Sequence, residues 1–196
     1  MHFSIESIKL SFDQIIFQKN DKMVQENCRK PYKNHPKGCP NYGKNWSCPP
    51  YSPTIKETKA NLSKYRYFWL IRIKIGTSTH PIKVWAKYKN SKLFEKITMY
   101  LNEFLGKLQE EHPKDKIYFC SECRICKNKG YSCTCPSEPC RYPEKMHFSP
   151  EALGIDLFNI MRNLDLDIEH NPSKILQRIG LYASDHYLNF PEYRKI

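Results

Sequence analysis

The chain has no apolar run of about 18 residues, so nothing in it reads as a membrane span. Its opening residues, from Met1 to Ser7, lack the basic and apolar regions of a secretory signal. Glycine is scarce, at 7 residues, and no G-x-G-x-x-G or other phosphate-cradling loop is present, which leaves nucleotide-dependent chemistry unsupported. No Ser, His and Asp arrangement of the hydrolase kind stands out. Acidic residues are also few, 20 against 32 Lys and Arg, for a net charge of +12. About +13 of formal charge falls on residues 29–119, against small balances elsewhere. Such a field attracts nucleic acid or an acidic redox partner, although a solvated lysine surface is the plainer reading.

Cysteine is plentiful, with 9 residues in a chain of 196. Without an export signal, these thiols predict a reducing cytoplasm and bound metal rather than disulfides, and an odd number cannot pair completely. Six lie close together: Cys120, Cys123, Cys126, Cys133, Cys135 and Cys140. Three more, Cys28, Cys39 and Cys48, occupy an earlier segment. The C-x2-C-x2-C run from Cys120 to Cys126 has the spacing of the first three ligands of a bacterial-type [4Fe–4S] site. Cys140 completes a set of four; Cys133 or Cys135 is a substitute, and Cys135-Pro136 has the cysteine–proline form that usually closes such sites. Zinc competes, since thiolates suit both metals, but its sites more often pair two C-x2-C knuckles.

The earlier segment, residues 27–53, is dense in Pro, Gly and Asn. A compact domain rarely holds so long a stretch without structure of its own, and a shared metal would replace the apolar burial it lacks. Tyr42, Trp46 and Tyr51 can cover a cluster or anchor the loop. With three thiols, this segment either borrows a fourth or leaves one iron open to substrate, so the chain holds one cluster or two. His35 and His147 are minor candidates as replacement ligands, and Glu144, Glu151 and Asp156 as acid–base groups.

The expected fold is α+β: a small mixed sheet covered by helices, with a cysteine-rich metal-binding lobe at one end. Residues 1–196 read as a single domain. The sheet is expected from residues near 5–12, 65–75, 82–88 and 116–120. The best strand is 65–75, aromatic and β-branched throughout, with Arg72 and Lys74 on a solvated face. Leu93, Ile97, Leu101, Leu105 and Leu108 fall at helical spacing over 91–111, with Ser91 as cap. Ser149 and Pro150 predict the start of a second helix over 150–164. The tail from Ile175 is open between strand and helix, and both cysteine segments should meet at one end of the sheet.

Two stretches resemble a family of uncharacterised, predicted metal-binding proteins of anaerobic archaea and bacteria. The first is Cys39-Pro-Asn-Tyr-Gly-Lys-Asn-Trp-Ser-Cys48-Pro-Pro-Tyr51. The second joins the Cys120–Cys126 run to Cys140-Arg-Tyr-Pro-Glu144 and Ser149-Pro-Glu-Ala-Leu-Gly-Ile-Asp156. The resemblance implies that Cys28, Cys39, Cys48, Cys120, Cys123, Cys126 and Cys140 are the family's shared thiols. In this chain the gap between Cys28 and Cys39 is longer than usual, Cys133 and Cys135 are additional, and the segment from Met146 to Ser149 is less basic.

Three functions compete on this reading. The first is electron transfer by a [4Fe–4S] protein with a protein redox partner. The second is a catalytic iron–sulfur protein, transferring or removing sulfur at an open iron. The third is a metal-stabilised nucleic-acid module, with Tyr65, Tyr67, Phe68 and Trp69 interleaved with Arg66 and Arg72 for stacking on bases.

Overall fold

The computed structural model describes residues 3–31, 35–76, 92–168, 175–190 and 193–195. Strand β1 (Phe3–Leu10) opens the chain, followed by helix α1 (Asp21–Arg29) and helix α2 (Ile55–Leu62). Strand β2 (Tyr67–Gly76), helix α3 (Lys92–Glu111) and the short strand β3 (Lys116–Tyr118) come next. One helical turn, α4 (Ile125–Asn128), lies within the second cysteine block; α5 (Leu157–Asn163), β4 (Ile175–Ser184) and β5 (Tyr193–Lys195) complete the chain. The five strands form one sheet in the order β3-β4-β2-β1-β5. Among the described residues every pairing is antiparallel, which corrects the expectation of a mixed sheet.

Strand β2 lies at the centre, and its composition explains why. A strand paired on both edges and covered on both faces must be apolar throughout, and β-branched and aromatic side chains fit that pleated surface. Phe68 and Leu70 face a core completed by Leu153, Ile155, Leu157, Ile160 and Met161. Trp69, Ile71, Ile73 and Ile75 face the opposite way, onto Ile97, Leu101, Leu105 and Leu108 of α3. The helical stripe read from the sequence is therefore core. Ser91 and the expected strand at 82–88 lie outside the described residues.

Several expectations need correction. The tail is a strand: β4 pairs with β2 along its whole length, from Tyr67 opposite Ser184 to Gly76 opposite Ile175. The helix expected over 150–164 is divided. Ser149 precedes only a short 3-10 turn at Glu151–Leu153, whose N-cap is Pro150, and its hydroxyl accepts from Ala152 N at 3.3 Å. Gly154 then takes φ +80°, a left-handed conformation suited to glycine, and Ile155 bridges to Phe17. Helix α5 starts afresh, with the Asp156 carboxylate accepting from Asn159 N. Helix α2 has a full capping box, Thr54 with Glu57, and α1 is capped by Asn20; neither was expected. Among the described residues no helix is long and apolar enough to cross a membrane.

Arg72 is not on a solvated face. It is 5% exposed and stands opposite Glu6 in the β1–β2 register. Its Nε donates to Glu6 Oε2 at 2.7 Å and Lys74 pairs with the other carboxylate oxygen at 3.2 Å. Burial pushes the Glu6 pKa up, but the hydrogen bonds and charges of Arg72 and Lys74 outweigh it and hold the carboxyl below its ordinary value. The contribution of Glu6 is therefore complete above the ordinary carboxylate range and is lost as pH falls through the lowered pKa. Glu6→Gln should cost about 1–3 kcal/mol at neutral pH, because it leaves a buried guanidinium without its counter-charge. Urea denaturation should show that deficit shrinking in acid; equal stability of the two proteins at neutral pH would contradict the pairing.

Candidate metal centre

Strand β3 delivers the chain to Cys120, which is buried at 4% exposure. Asn102 of α3 pins this point twice. Its Nδ2 donates to Cys120 O at 2.8 Å and its Oδ1 accepts from Cys120 N at 2.9 Å. Past it the chain turns through Ser121, a non-glycine residue at φ +73°, and enters α4, which carries Cys126. The return from Cys133 to Cys140 is folded back on itself. Thr134 Oγ1 donates to Pro139 O at 2.9 Å, Glu138 N donates to Thr134 O at 3.0 Å, and Arg141 reaches back to Ser132 O at 2.8 Å. The result is a cavity of about 370 Å³ with Cys123, Cys126, Cys133 and Cys140 on its wall, beside Trp46 and Met146.

Cys120 does not line that cavity, and neither does Cys135, whose Sγ lies 3.9 Å from Gly43 O. The Cys123 sulfur accepts backbone N–H groups from His147 and Ile125, and the Cys120 sulfur accepts one from Ile179 of β4. Burial pushes the Cys123 thiol pKa up and takes that of Cys120 up to about 11; for Cys120 the nearby Arg178 guanidinium opposes the rise, while Glu151 and Glu122 add to it. Arg178 sits with its guanidinium 3.3 Å from the Phe94 ring centroid and donates to Thr98 Oγ1 at 2.9 Å. His147 stacks on Phe119 at 3.8 Å, and burial lowers its pKa.

The earlier thiols begin on a helix, not in the loop where the sequence placed them: Cys28 is in the last turn of α1. Cys39 N donates to Cys28 O at 2.7 Å. Gly38 makes this approach feasible. It has φ +82°, and a Cβ there would come within 2.6 Å of Cys28 O. The described residues 35–54 are turns and bends without a helix or named strand, as the composition indicated. Cys48 is 8% exposed, and its carbonyl accepts from Tyr51 N and Ser52 N. Burial takes the Cys28 thiol up to about 11, helped by the charges of Cys39 and Glu151. Burial likewise pushes Cys48 up to about 12; the Ser47 hydroxyl works against this, while Cys39, Glu122 and Cys28 add to it. The three early thiols are thus electrostatic neighbours.

The two cysteine segments meet, as expected, through a small polar network. Asn45 Nδ2 donates to Cys123 O at 3.0 Å, and Cys123 N donates to Ser47 Oγ at 3.0 Å. Asn45 Oδ1 in turn accepts from both Ser47 N and Ser47 Oγ at 3.0 Å. Trp46 Nε1 adds a bond to Glu138 O at 3.1 Å. Glu151 is exposed and borders a separate cavity with Cys28; desolvation at that wall raises its pKa, although Arg178 opposes the rise. Among the described residues, no three Cys, His, Asp or Glu side chains converge as a ready cage for one ion.

Sequence reasoning missed Asn45, Ser47, Asn102, Glu122 and Arg178. Glu122 lies inside the C-x2-C run and was open to notice; Asn102 and Arg178 carry no local signal, because their partners are far off in sequence. The nucleic-acid reading loses its stacking platform, since Phe68 and Trp69 are 1% and 3% exposed and Arg72 is buried. Asn45→Ala should cost about 1–3 kcal/mol, since it strands buried donors and acceptors on Ser47 and Cys123. It should also speed proteolysis within residues 39–53 of the full chain; cleavage at the wild-type rate would show that the network does not hold the segments together.

No curated protein matches the chain at a significant level, and no solved structure does. A family model described as predicted metal-binding protein (DUF2284) matches residues 11–183, a span that takes in all nine thiols together with β2, β3 and all but the last residue of β4, and the chain belongs to that family.

Proposed function

We propose that this is an iron–sulfur protein of electron transfer, with a [4Fe–4S] cluster held by Cys123, Cys126, Cys133 and Cys140. The observation that carries the reading is that these four thiols share one cavity wall. The donor set fits the group, because soft thiolates select iron–sulfur clusters or zinc over harder metals. Thiols spread round a cavity suit a cluster several atoms across better than a single tetrahedral ion, whose sulfurs converge to about 2.3 Å. The two backbone N–H groups at Cys123 suit a charged sulfur, and such bonds tune cluster potentials. When bound, a [4Fe–4S] cluster accepts and releases single electrons.

The protein's own part is to shield and to recruit. Trp46 and Met146 line the cavity, and Lys44, Lys127 and Arg124, the last paired with Glu122, stand on its wall. At the surface Tyr131 is 57% exposed, with the Arg141 guanidinium 5.6 Å from its ring centroid. A basic, aromatic rim of this kind attracts an acidic protein partner and speeds encounter. A chain with nine cysteines suits a reducing cytoplasm.

The test is anaerobic purification of the full chain, followed by iron, sulfide and zinc analysis and EPR before and after dithionite. Iron and sulfide in equal amounts, with a signal that appears on reduction, are expected. Stoichiometric zinc without iron, in protein never exposed to air, would contradict the proposal.

A further inference from the structure

We propose that the cavity between β3 and α2 is a binding site for a small organic carboxylate with an aromatic body, set one side chain away from the metal cavity. The proposal does not depend on which metal the thiols hold.

This second cavity measures about 440 Å³, a size that takes a small ligand. Lys116 and Tyr118 of β3 both line it, because residues two apart on a strand share a face. Ile117, between them, joins the opposite core with α3. Phe148, Leu153 and Met146 make much of the remaining wall apolar, and Tyr51 adds a ring to it. Such a wall suits a flat, apolar body.

Two polar groups on the wall call for an acceptor. Lys116 is half-buried and forms no ion pair among the described residues; the Tyr118 ring centroid lies 5.7 Å from its Nζ. Burial lowers its pKa, the effect of taking an ammonium out of water without a counter-charge. Tyr118 is 2% exposed, yet its hydroxyl makes no hydrogen bond among the described residues. Buried tyrosine hydroxyls ordinarily find a partner, as Tyr182 of β4 does by donating to Asp115. Glu57, a carboxylate on the same wall, is engaged elsewhere. Its Oε2 accepts from Thr54 N at 2.8 Å and from Thr54 Oγ1 at 2.7 Å in the capping box of α2. An ammonium and a phenol hydroxyl on one strand face can both donate to a single carboxylate, and charge-assisted bonds of that kind are strong. One cation in a largely apolar wall matches one negative charge better than the greater charge of a phosphate ester.

The position gives the site its interest. Met146 lines both this cavity and the metal cavity. Tyr51 packs edge-on against Trp46 of the metal cavity, with ring centroids 5.0 Å apart. The shared wall is held in place by the backbone, since Phe119 N donates to Phe148 O at 2.8 Å, and His147 stacks on the Phe119 ring. A molecule bound here therefore lies against the side chains that shield the thiols.

The test is calorimetric titration of the anaerobically purified full chain with phenylacetate, phenylacetamide and acetate. Phenylacetate should bind saturably, at least about tenfold tighter than either of the others. Lys116→Met should remove the advantage of the acid over the amide, and Tyr118→Phe should weaken phenylacetate by about tenfold. No saturable binding of phenylacetate at millimolar concentration, or an amide that binds as tightly as the acid, would overturn the proposal. Since a change on β3 can disturb the fold, wild-type lysines are also acetylated with and without phenylacetate and mapped by mass spectrometry. Protection of Lys116, with the exposed Lys56 of α2 labelled at an unchanged rate, supports the site; labelling of Lys116 that phenylacetate does not slow refutes it. Iron and zinc analysis of the same samples tests the iron–sulfur reading separately, so failure of one is distinguishable from failure of the other.

Discussion

Asn45 and Ser47 reach across to the backbone of Cys123 through two hydrogen bonds, braced by two more between themselves, and so two segments far apart in sequence become one lobe. Ser47 is fully buried and Asn45 nearly so, which makes the bonds strong in effect: breaking any of them strands a polar group away from water. The loop that carries Cys39 and Cys48 adds no side chain to either core cluster, so this network takes on part of the work that a hydrophobic core does elsewhere.

The sheet supplies the rigid side of that arrangement. Strand β2, buried between β1 and β4, and helix α3 packed on one face give Asn102 a fixed position from which to hold Cys120. Arg178 reaches the same region from β4, held by the Phe94 ring and Thr98. A site built on elements of this kind keeps its geometry better than one carried by turns alone. The late cavity relies more on short-range bonds, such as Thr134 to Pro139.

Much of this was legible in the sequence, for local reasons. The aromatic and β-branched run at Tyr67–Gly76 reads as a strand, and the stripe from Ile97 to Leu108 reads as a helix face. A long loop rich in Pro, Gly and thiols implied the meeting of the two cysteine segments. Strand β4 was not legible, because Arg178 interrupts an apolar stretch that lacks clean alternation. Helix α1 hides for a similar reason: Val24 is its one buried side chain, so only the Asn20 cap betrays it. The division of 150–164 turns on Gly154, where a left-handed residue stops one turn before Asp156 starts the next. The choice between Cys120 and Cys133 was out of reach, since it depends on which way each sulfur faces once Asn102 and Thr134 have fixed the backbone.

The central claim is that Cys123, Cys126, Cys133 and Cys140 enclose iron and sulfide. Anomalous diffraction from crystals grown without oxygen, collected on both sides of the iron and zinc absorption edges, tests it most directly. The account predicts iron anomalous density enclosed by those four sulfurs. Density that appears only at the zinc edge, or iron lying elsewhere in the chain, would contradict it.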